Sequence, residues 1–213
     1  MSTWSIVLAA GSGRRYDPDV LKQYEEIGPW RVVDLSLARA RTVSDGVVLV
    51  VGASHIDDPE PLADLVVEGG ERRSDSVRRG LDAVPDDCDI VVVHDGARPL
   101  ASADLFESVI EAVLAGADAA IPGVPVTDTI KQIDDGCVVG TLDRDDLVAV
   151  QTPQAFRAEV LRRAHEGDPD ATDDAALVEA LGGTVVVVPG DPRNLKVTGP
   201  ADLMIAAALL ETS

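Results

Sequence analysis

Lysine is nearly missing from this chain. Of 213 residues only Lys22, Lys131 and Lys196 are lysine, and Lys+Arg totals 18 against 38 Asp+Glu, for a formal net charge of −20. A chain this short of positive charge has no basic footprint for nucleic acid and is repelled by an anionic membrane surface. Cysteine is scarce as well: Cys88 and Cys137 are the only two, too few for a disulfide framework. No apolar run approaches the about 20 residues of a spanning helix. The first fifteen residues place their apolar run ahead of Arg14 and Arg15, the reverse of a secretion signal. We therefore expect a soluble, cytoplasmic protein from a reducing compartment, without nucleic-acid or membrane partners. Catalytic patterns are missing too. No Cys–His, Ser–His–Asp or zinc-ligand spacing occurs, and no G-x-x-x-x-G-K-[ST] loop.

What is present alternates. Trp4–Ala10 is a short apolar run ending in glycine, and similar runs follow at Gly46–Val51, Asp89–Val93, Asp118–Ile121 and Thr184–Val188. Such runs predict strands buried on both faces, as in a parallel sheet. Between them lie segments of helical period: Val32–Val43, Ser76–Val84, Ala103–Leu114, Ala158–His165, Ala175–Leu181 and Ala201–Leu210. Ser102 and Thr172 are expected N-caps, and Pro200 suits a first helical position. The expected fold class is α/β, a mostly parallel twisted sheet flanked by helices, in a single domain over 1–213. One segment breaks the pattern. Residues 124–150 carry two β-like stretches around Asp134-Asp135-Gly136, a hairpin signal. An isolated hairpin is marginal in water, so this projecting β-arm is expected to lie on a partner, most simply a second copy of the chain.

Four constellations can carry chemistry. Ala9, Ala10, Gly11, Ser12, Gly13, Arg14 and Arg15 follow the first strand. Small residues let backbone approach a ligand, and successive free N–H groups form an anion nest. Tyr16 stands where a dinucleotide fingerprint needs its third glycine, which weakens that reading. The bland alternative is a plain strand-to-helix turn. Lys22 follows in Leu21-Lys22-Gln23-Tyr24. The second constellation is His94-Asp95-Gly96-Ala97-Arg98-Pro99 at a strand's carboxyl end, where open α/β sheets bind ligands. Asp95 is a candidate for a divalent cation or a ligand hydroxyl and Arg98 for a phosphate, against the simpler reading of a pair bracing a turn. His94 reads as structural. The third is the arm, with Thr127-Asp128-Thr129-Ile130-Lys131 on one limb and Asp143-Arg144 on the other; its bland reading is a solvated charged hairpin. The fourth is Asn194-Leu195-Lys196-Val197-Thr198. In a chain so poor in lysine, Lys196 is read as functional rather than as surface. Gln151-Thr152-Pro153-Gln154 carries no evident chemistry and reads as a bend, and Thr172-Asp173-Asp174 reads as a cap. Arg15, Lys22, Arg98, Arg144 and Lys196 all sit at loop or strand-end positions. Converging cations with an acid suit phosphoryl or nucleotidyl transfer, where positioning and charge stabilisation do most of the catalysis.

The motifs AAGSGRR, LKQY, GGERRSDSV, HDGARP, PVTDTIK, DR, QTPQ, TDDA and NLKVT occur in an order that resembles the 2-C-methyl-D-erythritol 4-phosphate cytidylyltransferases of non-mevalonate isoprenoid synthesis. The resemblance runs from Ile6 to about Leu210. It implies a Rossmann-like nucleotidyltransferase fold, a homodimer built through the arm, and Mg²⁺-dependent joining of CTP to methylerythritol phosphate with release of pyrophosphate. Carried over residue by residue, Ala9–Arg14 would cradle the CTP phosphates, and Arg15 and Lys22 would stabilise charge on the α-phosphate. Gly70 and Ser76 would contact cytosine and ribose. Asp95 and Arg98 would hold the polyol phosphate, Thr129 and Arg144 would do so from the partner's arm, Lys131 would be a further substrate contact, and Asp95 is the candidate metal ligand. Lys196 would orient the attacking phosphate. Two positions depart from the family pattern: Leu21 stands for a usual proline and Gly96 for a usual alanine. Both changes are expected to loosen loop geometry. Ribitol-5-phosphate cytidylyltransferases share several of these motifs but typically lack the limb seen here as Asp128-Thr129-Ile130-Lys131. A non-catalytic nucleotide-binding protein of the same fold is the reading from another class. The acidic surface fits either solubility in concentrated salt or a genome that prefers arginine codons.

Overall fold

The computed structural model describes residues 1–11, 21–167, 169, 171 and 173–211. Strand β1 (Thr3–Ala9) runs up the middle of an eight-stranded sheet. A two-stranded hairpin follows, β2 (Glu26–Ile27) and β3 (Trp30–Arg31), and then helix α1 (Val32–Val43). Next come β4 (Gly46–Val51), β5 (Leu65–Glu68), α2 (Arg73–Ala83), β6 (Ile90–Asp95), α3 (Ala103–Leu114) and β7 (Ala119–Pro125). The arm hairpin is β8 (Lys131–Asp134) and β9 (Cys137–Thr141), and the chain returns through β10 (Val148–Val150) and β11 (Gln154–Arg157). Helices α4 (Ala158–Ala164) and α5 (Asp174–Ala180), strand β12 (Val185–Pro189) and helix α6 (Pro200–Glu211) complete the order.

Valine-rich composition explains the centre. Every residue of β4 and β6 is buried, because a parallel strand between two helical layers has no wet face. Side chains alternate across the sheet, so neighbours on β1 go to opposite cores. Ile6 joins Val77 and Leu81 of α2, Leu161 of α4 and Val178 of α5. Val7 joins Leu37 of α1 and Phe106 and Val109 of α3. Strands β1, β4, β5 and β6 are mutually parallel, and β12 is parallel to β7. Between β6 and β7 lies β11, antiparallel to both, and β10 continues along the same edge of β7. The sheet is thus mostly parallel, with one reversed insertion. Among the described residues no helix is long and apolar enough to cross a membrane.

The differences from expectation are local. Helix α2 begins at Arg73 rather than Ser76, because Asp75 in the first turn accepts the Arg72 N–H at 3.0 Å. Asp173 caps α5 by accepting the Ala176 N–H at 3.0 Å, while Thr172 lies outside the described residues. Ser102 caps α3 and Pro200 opens α6, as expected. Besides the two-residue strands β2 and β3, two strands of the main sheet were not anticipated: β5, which is four residues long, and β11, which begins inside the supposed bend at Gln154. Val124, Pro125 and Val148–Val150 pair within the main sheet, so the free hairpin is shorter than 124–150. Its turn is as read. Asp135 (φ 43°) and Gly136 (φ 74°) both occupy the left-handed region that a type I′ turn requires.

Phe156 makes β11 part of the core, since its side chain is fully buried among Val91, Ala119 and Leu161. Phe156→Ala should cost about 3–5 kcal/mol in urea denaturation. A cost under about 1 kcal/mol would show that β11 is not packed as described.

Candidate active site

Three strand ends meet at one rim of the sheet. The end of β1 continues into Ala10 and Gly11, β5 leads to the turn residue Gly70, and β6 ends at Asp95. Together with Lys22, Gln23, Arg72, Arg73, Ser76 and Lys196 they line a cavity of about 830 Å³. The carboxyl edge of a parallel sheet is where open α/β folds bind ligands. A second cavity, about 470 Å³, lies at the opposite edge among Asp86, Asp87, Asp89 and Arg157 and has no glycine turn.

Close backbone approach builds the glycine side. A Cβ on Gly69 would stand 2.3 Å from the Ala10 Cβ, and one on Gly70 would stand 2.2 Å from the Asp75 Cβ. Only glycine therefore lets the β5–α2 turn lean on the β1 loop. Ser76 is buried, and its Oγ accepts the Gly70 N–H at 3.1 Å. Gln23, buried beside Lys22, donates from Nε2 to the carbonyls of Ala9 at 2.6 Å and Gly11 at 3.1 Å. The segment that carries Lys22 is thereby fastened to the end of β1 and to Gly11. Ser12, Gly13, Arg14 and Arg15 lie outside the described residues.

The acidic side is centred on Asp95. Its Oδ2 accepts from Lys196 Nζ at 2.7 Å, and Arg98 Nε lies 3.8 Å away. Burial alone would raise this carboxyl, but the charges of Lys196, Arg73 and Arg98 outweigh it and hold the group at about 2. Arg98 lies under the cavity rather than on its wall. It donates from Nη1 to the Asn194 carbonyl at 2.7 Å, tying the turn after β6 to the lysine loop. Gly96 sits tightly instead of loosening its loop: its N–H donates to Leu8 O at 2.9 Å, and a Cβ there would stand 3.0 Å from that oxygen.

Lys196 owes its place to residues without chemistry of their own. Gln151 donates to Asp191 O at 2.8 Å and accepts the Asp191 N–H at 3.2 Å. Asn194, fully buried, donates to Thr152 O at 2.9 Å. Thr152 Oγ1 accepts the Asp95 N–H at 3.0 Å and meets His94 Nδ1 at 3.1 Å. The supposed bend at Gln151–Gln154 is therefore a clamp that holds the lysine loop against the strand bearing Asp95. His94 is structural, as expected: it is fully buried, its other ring nitrogen lies 3.2 Å from Arg98 O, and burial pushes it down to about 4.

The arm residues stand apart from their own chain's cavity. Thr129, Lys131 and Arg144 are exposed. Lys131 Nζ donates to Thr141 Oγ1 at 2.7 Å and Arg144 Nη1 to Thr127 O at 2.7 Å. Nor do the described residues form a ready cation site. No group of three or more His, Cys, Asp or Glu side chains converges, and Asp95 already serves Lys196. A protein-held metal at Asp95 does not fit these residues, so any cation here depends on phosphate oxygens. The sequence reading missed Gln23, Arg72 and Arg73 on the cavity wall. The doubled arginine in GGERRSDSV was the available signal, hidden by the arginine-rich composition.

A glycine-lined cavity with two lysines, two arginines and two acids, Glu71 and Asp95, at the carboxyl edge of a parallel sheet is the arrangement of a nucleotidyltransferase. The family model for 2-C-methyl-D-erythritol 4-phosphate cytidylyltransferase matches residues 3–212. The enzyme of that name from Frankia casuarinae is 47% identical over 214 residues, covering 97% of this chain and 80% of that protein. The bifunctional enzyme IspD/IspF of Solidesulfovibrio magneticus is 44% identical over 225 residues, covering 95% of this chain, and the chain spans 56% of that enzyme's length. Among solved structures, the 4-diphosphocytidyl-2C-methyl-D-erythritol synthase of Anaerococcus prevotii superposes with a TM-score of 0.85 at 31% identity, covering 99% of this chain and 96% of its own. The cytidylyltransferase of Thermus thermophilus gives 0.83 at 32%, covering 97% and 98%. The chain belongs to the 2-C-methyl-D-erythritol 4-phosphate cytidylyltransferase family.

Burial of His94 makes stability depend on pH. Between its unfolded value of 6.5 and about 4, the unfolded chain binds a proton that the folded chain refuses. Stability should therefore be full above about pH 6.5 and fall as pH drops towards 4, by up to about 3 kcal/mol. Urea denaturation of His94→Gln should show a flatter decline over that window. An unchanged slope would mean that His94 is protonated in the fold.

Proposed function

We propose that the cavity holds CTP with its phosphates along Ala9–Arg15 and its base and ribose against Gly70 and Ser76, and that it delivers the second substrate's phosphate in line to the α-phosphate. As a member of its family the chain is a cytidylyltransferase of isoprenoid precursor synthesis, moving the cytidylyl group of CTP to 2-C-methyl-D-erythritol 4-phosphate. A phosphate oxygen of the polyol phosphate forms a bond to the α-phosphorus, the bond to the bridging oxygen breaks, and pyrophosphate leaves with that electron pair. The phosphate is already a nucleophile, so no proton need be removed and no covalent enzyme intermediate forms.

The observation that carries this reading is the convergence of Lys22 and Lys196 on one cavity in a chain with three lysines. Fixed cations around a reacting phosphate stabilise developing charge without reorganising. Lys196, aimed by Asp95 at 2.7 Å, meets the attacking phosphate; Lys22 and Arg15 meet the α-phosphate. Asp95 takes a polyol hydroxyl, and Arg98 supports it from below. Magnesium, carried on the triphosphate, would neutralise phosphate charge. The reading places the enzyme in the cytoplasm with its substrates. It also makes the arm a dimer contact. Ile133, Val138 and Val139 on the hairpin are 67%, 62% and 58% exposed, an apolar surface that a second copy would cover. The partner's cleft would then receive Thr129, Lys131 and Arg144.

The test is pyrophosphate release from CTP, with methylerythritol phosphate and ribitol 5-phosphate offered in parallel. Release with the first is expected. Release with ribitol phosphate alone would move the substrate assignment, and release with neither would remove the enzymatic one. Lys196→Ala should lower kcat/KM by about 100-fold or more and shift the melting temperature little. An active variant that melts early would make Lys196 a structural residue.

A further inference from the structure

We propose that Arg73 is a phosphate-binding cation of the cleft and that Asp174, acting through it, is a positioning residue for the reaction. The proposal rests on the cytidylyltransferase reading and adds to it a cation of the GGERRSDSV motif to which the sequence analysis gave no role.

Arg73 is the first residue of α2, directly after the glycine turn, and its side chain lines the cavity with Asp95 and Lys196. Its Nη1 donates to Asp174 Oδ2 at 2.7 Å, across 101 residues of sequence. The carboxylate is 1% exposed, and its other oxygen meets His165 Nε2 at 3.0 Å. Around it, Ala175, Leu177 and Val178 of the same helix are packed into the apolar core.

An acid at such a position is costly. A buried ion pair is on average no more stabilising than well-packed apolar residues of the same volume, so packing α5 against α2 does not require it. What a carboxylate supplies and a leucine does not is a fixed direction for a guanidinium. Arg73 keeps 27% of its side-chain surface exposed, and the residue is part of the cavity's lining. Of the two further carboxylates whose charge it feels, Asp95 and Asp173, Asp95 lies on the cavity wall. Guanidinium donors are arranged in a rigid fork. With one donor committed to Asp174, the fork's orientation is set before a ligand arrives, and the ordering entropy is not lost on binding. The ligand chemistry is a phosphate anion, and both substrates carry one.

Steady-state kinetics and calorimetric titrations of CTP and of methylerythritol phosphate, on the full chain, decide the matter. Arg73→Met should weaken one of the two ligands by about tenfold or more, the loss of one charge-assisted hydrogen bond, and the ligand that suffers identifies whose phosphate is held. Asp174→Asn should raise the same KM, Asp174→Glu should restore part of it, and Asp174→Asn should add little once Arg73 is already Met. Arg73→Met leaves the Asp174–His165 contact in place, so it decides the proposal even if Asp174→Asn does not fold. Both affinities and kcat remaining within about twofold, with only the melting temperature lowered, would overturn the role of Arg73. Equal losses from Asp174→Asn in both backgrounds would overturn the role of Asp174. Failure of the wild-type chain to release pyrophosphate would strike the cytidylyltransferase reading, while the titrations, which need no turnover, would still score Arg73.

Discussion

A carboxylate at the end of a buried strand has to be paired, and that requirement organises the rim of this sheet. Asp95 follows five strand residues that are all buried, and an ionised group there is stable only with cations close by. Lys196 supplies the direct contact at 2.7 Å. The same contact fixes an ammonium at the mouth of the cavity, so stability and chemistry are served by one pair. Lysine is a flexible point charge, and without such an anchor its position at the transition state would have to be bought with entropy.

The pair in turn depends on how the chain returns from the arm. Strand β10 ends at Val150, and the next residue, Gln151, bonds both ways to Asp191 of the lysine loop. Three residues on, β11 enters the sheet between β6 and β7. The reversed strand therefore joins the arm, the Asp95 strand and the lysine loop through adjacent residues. If the arm is the dimer contact, its docking is mechanically close to Lys196 although its own side chains lie outside the cavity.

How much of this could be read from the sequence follows from distance along the chain. The parallel strands and most helices announced themselves through valine runs and helical period, which are local. The glycine turn, Lys22, Asp95 and Lys196 stood out because their residue types are informative at strand ends, and the lysines because lysine is so scarce. Strand β11 was not legible: four residues, Gln154–Arg157, give too few alternations to show a period. Gln151 and Asn194 were passed over because a side-chain amide has no chemistry to advertise; their value lies in which backbone they meet 40 to 43 residues away. The Arg73–Asp174 pair was hidden twice, by the arginine-rich composition and by the expected cap at Thr172, which explained the acids that follow it.

The net charge raises an objection to the site. A chain at −20 ought to repel a triphosphate. Screening answers it. At physiological ionic strength the field of an exposed charge dies over about 8 Å, so carboxylates scattered over the surface contribute little inside the cleft. Charges in a concave, partly dry cavity are screened much less and focus on whatever enters. Two of the chain's three lysines and the Arg72–Arg73 pair line that cavity. Against the carboxylates of Glu71 and Asp95 on the same wall these four cations leave the lining net positive, and the global charge acts mainly between molecules. A net charge of −20 and a cleft lined by cations are therefore compatible wherever those cations are concentrated at the sheet's carboxyl edge, and the scarcity of lysine elsewhere sharpens that contrast.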